Sequence, residues 1–86
     1  MERALKTKYL ALNTVPDTLT WDDSYAIAQA LRNRFPSIDL EEVSLIMIYR
    51  WTVELPGFDD DPQLANDSVL AAIYQEWFEE VLLNEP

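Results

Sequence analysis

The chain has 86 residues, enough for one domain around one core. It contains neither cysteine nor histidine, which excludes disulfides, thiolate or imidazole metal ligands, and histidine-based nucleophilic catalysis. Its net charge of −10 is unevenly spread: residues 1–17 sum to +1 through Arg3, Lys6 and Lys8, whereas fourteen acids face only Arg32, Arg34 and Arg50 in the remainder. A body this acidic is a poor ligand for phosphate backbones and better suited to a basic protein surface or to cations. Any metal site must be built from oxygens, which suit hard cations. No apolar stretch approaches the roughly 18 residues that span a bilayer, and no signal-peptide pattern follows the basic N-terminus. A soluble cytoplasmic protein is the expectation.

In chain order, residues 1–17 form an arm set off by the turn-rich Asn13-Thr14-Val15-Pro16-Asp17. Leu5, Tyr9 and Leu12 recur at helical spacing on one face of it. The domain proper covers residues 18–86. Its first helix is expected from Thr20, with Thr20 and Asp23 at capping-box spacing and Asp22 and Asp23 in the first turn, where the helix dipole favours acids. Ile27, Ala28, Leu31 and Phe35 are its buried face, Arg32 and Arg34 suit its last turn, and Pro36 stops it. A second element is expected from Asp39, with Glu42 completing a capping box. The run Leu45-Ile46-Met47-Ile48-Tyr49 permits strand or helix by propensity. Helix is favoured because Leu40, Val43, Met47, Trp51 and Leu55 fall at three- and four-residue steps, and Pro56-Gly57 ends it.

Phe58-Asp59-Asp60-Asp61-Pro62 follows. Pro62 suits the first position of a helix and Asp61 its N-cap. Asn66 and Asp67 cap or continue the last helix, whose apolar stripe is Val69, Leu70, Ile73, Trp77 and Val81. The three tryptophans, Trp21, Trp51 and Trp77, are assigned to the core. Ser24 has no histidine to activate it, so no catalytic group is identified and no enzyme is expected.

Together, Leu19-Thr20-Trp21-Asp22-Asp23-Ser24, Phe35-Pro36, Asp39, Trp51, Leu55, Phe58-Asp59-Asp60-Asp61-Pro62-Gln63, Asn66, Leu70, Ala72-Ile73 and Trp77 resemble the IscX family, the small acidic proteins of bacterial iron–sulfur cluster assembly. The resemblance runs from Leu19 to about Glu80. It implies a mainly α, compact three-helix winged-helix-like domain. It also implies binding to the cysteine desulfurase of the pathway and weak, exchangeable iron binding through carboxylates, with no tightly bound cofactor. A cluster itself needs thiolate or imidazole ligands that this chain lacks. The chain departs from the family pattern at Ala26, Gln29, Met47 and Tyr49, where acids or, at the last, a histidine are common.

The candidate partner-binding residues are Asp59, Asp60, Asp61 and Asp22, and the candidate iron ligands are those four with Asp23. The plainer reading of each is a helix cap or a solvated loop. In an extended loop Asp59 and Asp61 point one way and Asp60 the other, and the triplet lacks the spacing of a calcium loop. A second hypothesis concerns Ile46, Met47 and Tyr49, left wholly or partly outside the stripe of Leu45, Ile48, Trp51 and Leu55. The arm residues Leu5, Tyr9 and Leu12 would cover them, within one chain or by exchange in a homodimer. The corresponding alternative function is a metal-independent interaction or structural domain that self-associates through this face.

Overall fold

The computed structural model describes residues 18–83. Three helices carry the fold: α1, Ser24–Arg34; α2, Leu45–Val53; and α3, Asp67–Leu83. Single 3-10 turns at Leu40–Glu42 and Pro62–Leu64 punctuate the connections. Among the described residues there is no strand, and the one β feature is an isolated parallel bridge between Leu19 and Phe58. The arm, with Leu5, Tyr9 and Leu12, lies outside the described residues.

Helix α1 starts later than its capping pattern suggests. Asp23 N–H donates to the Thr20 carbonyl at 2.9 Å, and the Asp23 carboxylate accepts from the Thr20 N–H at 2.9 Å and from its hydroxyl at 3.2 Å. Residues 20–23 thus close a turn of their own in place of a first helical turn. Asp23 becomes the N-cap position without a side-chain cap bond, and no acid lies in the first turn of α1. The other end is as the sequence suggests. Phe35 N–H closes on the Leu31 carbonyl at 2.8 Å, and Pro36 disfavours helical angles in the residue before it.

The second element divides in two. Asp39 caps only the 3-10 turn, accepting from Glu41 N–H at 3.0 Å, and Val43 then turns extended. Helix α2 has its own cap in Ser44, whose Oγ accepts from Met47 N–H at 3.3 Å while Met47 Sδ accepts from Ser44 N–H at 3.4 Å. The thioether here takes the place that Glu usually has in a capping box. The apolar run is a helix, with Ile48 and Thr52 buried and Met47 and Trp51 half-buried.

Helix α3 is capped by Asn66, whose Oδ1 accepts from Val69 N–H at 2.9 Å. Leu70, Ile73 and Trp77 recur along its buried face and pack chiefly against α1, where Ile27, Ala28 and Leu31 are buried. Trp77 meets Trp51 edge-on at 6.4 Å, and Trp51 in turn packs on Phe35 at 4.3 Å. Tyr74 ties α3 to the 3-10 turn by donating to the Leu40 carbonyl at 3.0 Å.

Candidate functional site

The acidic loop begins at Phe58 and is fixed by its backbone to the segment before α1. Leu19 N–H donates to the Gly57 carbonyl at 2.8 Å, and Asp59 N–H returns a bond to the Leu19 carbonyl at 2.9 Å. Two residues on, the buried Trp21 continues the seam. Its backbone N–H donates to Asp60 Oδ2 at 2.9 Å and its indole N–H to the Asp61 carbonyl at 2.9 Å. The Trp21 ring is held edge-on by Phe58 at 4.9 Å and stacked on Tyr49 at 6.0 Å. The loop therefore rests on an aromatic cluster, and its shape is set by contacts some forty residues distant in sequence.

This arrangement gives the three aspartates different work. Asp60 is half-buried and turned inward, its second oxygen accepting from Asp61 N–H at 2.7 Å. Asp61 is exposed and caps the 3-10 turn by accepting from Gln63 N–H at 2.9 Å, with Pro62 at the first position. The helix that it begins is only that turn; α3 starts afresh at Asp67. Asp59 is exposed, and its backbone alone takes part in the seam. Asp22 is exposed beside Trp21, hence next to the loop, whereas the Asp23 carboxylate is engaged by Thr20. Asp59, Asp61 and Asp22 are thus exposed, and of the five carboxylates those of Asp60, Asp23 and Asp61 accept from backbone donors.

Among the described residues there is no group of three or more His, Cys, Asp or Glu side chains that could hold a metal ion. Asp60, Asp23 and Asp61 each spend carboxylate oxygens on N–H groups. On α2, Ile46 is exposed and Met47 and Tyr49 are half-buried, the latter by its stack on Trp21.

The seam residues Leu19, Trp21 and Phe58 to Asp61 belong to a wider pattern. The chain matches the iron–sulphur cluster assembly family over residues 19–82. It belongs to the iron–sulphur cluster assembly family. The IscX resemblance of the sequence thus has its counterpart in a match that leaves the arm outside. A relative in Pseudomonas aeruginosa (strain PAO1), the uncharacterized protein PA3808, is 43% identical over 63 residues, 73% of this chain and 96% of the relative. No helix among the described residues is long and apolar enough to cross a membrane.

One cluster of this family member escapes sequence reasoning. Tyr25 donates to Glu80 Oε2 at 2.9 Å, Gln29 donates to the Tyr25 oxygen at 3.1 Å, and Arg32 lies 3.7 Å from Glu80 Oε1. The hydrogen bond to Glu80 holds the Tyr25 phenol above its ordinary pKa, helped by desolvation and the charges of Glu80 and Glu76 and opposed by Arg32. The available signal was the position of Glu80 off the α3 stripe, while Tyr25 and Arg32 lie on another helix more than forty residues away in sequence. This cluster fastens α1 to α3 on the surface.

Proposed function

We propose that this family member is a non-catalytic accessory protein of iron–sulphur cluster assembly that docks its acidic loop on a basic surface of the pathway's cysteine desulfurase. The desulfurase comes from the family resemblance. The observation that supports docking is the exposure of Asp59 and Asp61 on a loop pinned to Leu19 and Trp21, with Asp22 exposed on the segment that pins it. A preformed acidic surface loses little on ordering when it meets its partner, and its charge steers encounter with a basic face. The same reading takes the three-helix body as a winged-helix-like scaffold put to protein recognition, since its acidity repels phosphate backbones.

Charge recognition is better supported than iron ligation by Asp59, Asp60, Asp61, Asp22 and Asp23. Three of the five carboxylates, those of Asp23, Asp60 and Asp61, are occupied by backbone donors, so iron enters this reading only as a weakly held, exchangeable cargo. The test is a titration of the desulfurase with the wild-type chain and with an Asp22→Asn/Asp59→Asn double variant, at two salt concentrations and with and without ferrous iron. We expect about tenfold weaker binding for the variant, equivalent to about 1.4 kcal/mol, and a wild-type affinity that falls with salt. Unchanged affinity would refute docking through this surface, and binding that requires iron would favour ligation. The second reading, a metal-independent domain self-associating through α2, draws on Ile46, which is 55% exposed. Salt-insensitive self-association without desulfurase binding would put it in first place.

A further inference from the structure

Three of the exposed large apolar residues lie together on the last turns of α3. Phe78, Leu82 and Leu83 are 41%, 57% and 80% exposed. With Val81, the first two line a groove of about 230 Å³ completed by Ile38 and Leu40, and Asp39 and Glu41 bring acids to its edge. Exposed apolar residues gathered at one place call for a cover, unlike scattered ones.

We propose that the groove is covered by residues 1–17 of the same chain, with the Leu5, Tyr9 and Leu12 face laid against Phe78 and Leu82. Three observations support this occupant. At a helical period, Lys6 and Lys8 flank the Leu5–Tyr9–Leu12 stripe, and the groove carries the acids Asp39 and Glu41 on its 38–41 wall. The arm has the opposite charge to the body that would receive it, +1 against −11 over the rest of the chain. Its tether leaves the body at Leu19, and Tyr25, six residues on in the first turn of α1, reaches Glu80 on α3, the helix that forms one wall of the groove. Residues 13–18 can extend over about 20 Å, some twice the width of a helix. Tethering also gives the arm a millimolar effective concentration, so a weak contact suffices. The proposal goes beyond the desulfurase reading and does not depend on it.

Because the chain has no cysteine, a nitroxide can be placed on the full chain at Thr7→Cys, opposite the apolar stripe, and its effect read on every amide by NMR. The expected result is selective broadening of residues 38–41 and 78–83, with 46–49 unaffected. The effect should shrink with added salt, shrink in Lys6→Glu/Lys8→Glu, and disappear in Leu82→Glu. The arm substitutions leave the described residues 18–83 unchanged in sequence, so they decide the matter even if Leu82→Glu disturbs folding. Broadening at 46–49, no broadening at all, or broadening only between separately labelled copies would each overturn the proposal.

Discussion

Asp60 and Asp59 are neighbours with the same chemistry, yet the fold asks different things of them. Asp60→Ala removes the acceptor of the half-buried Trp21 N–H and that of Asp61 N–H. A hydrogen bond to a charged group contributes about 1.5–3 kcal/mol when shielded. The bond to Trp21 is part-buried and the other exposed, so the low end applies to the first and little to the second, about 2 kcal/mol in all. For a domain of this size each kcal/mol moves Tm by about 4–8 °C, giving a fall of roughly 8–16 °C. Asp60→Asn keeps one acceptor oxygen and should lose about half as much. Asp59→Ala removes a side chain exposed to solvent and should stay within about 0.5 kcal/mol. Thermal unfolding followed by circular dichroism checks the order. Equal melting temperatures for the Asp59 and Asp60 variants would refute the division of labour within the loop. The result also matters for binding studies, because replacing all three aspartates together would mix lost charge with a loosened loop.

Two further substitutions probe the core and the surface. Thr52 is fully buried and its hydroxyl has no hydrogen-bond partner among the described residues; Thr52→Val keeps the shape and removes the desolvation cost, so stability should rise by about 1 kcal/mol, and a lower Tm would contradict this. Tyr25 titrates above the usual value of 10 because the protonated phenol donates to Glu80. Since the folded pKa is the raised one, this contact contributes fully below pH 10 and is lost as pH climbs through the raised value. Glu80→Ala should bring the Tyr25 titration, followed on ring-labelled tyrosine by NMR, back down towards 10; an unmoved titration would reject the assignment.

Much of the body was legible from periodicity. Leu70, Ile73 and Trp77 declare the inner face of α3, and Ile27, Ala28 and Leu31 that of α1, because the 3.6-residue period is a local property of the chain. Helix starts were harder to place. Thr20 and Asp23 do bond each other, but as a separate turn, since Trp21 N–H is held by Asp60 from across the molecule. Asp39 likewise looks like the start of a long helix, while Ser44 is the residue that caps it. For the acidic loop, alternation along an extended chain anticipated the outward Asp59 and Asp61 and the inward Asp60. The partner of Asp60 was not legible, because a backbone N–H carries no sequence signature and lies 39 positions away.

The seam at Trp21 also has an optical consequence. Its indole donates to the loop's own backbone at Asp61 and is enclosed by Phe58 and Tyr49, so lifting the loop would place that chromophore in water. Trp77 is buried between helices and Trp51 packs on Phe35, and neither is bonded to the loop. In a Trp51→Phe/Trp77→Phe background the remaining emission would report loop attachment alone, a native fluorophore for following what a partner does to the acidic surface.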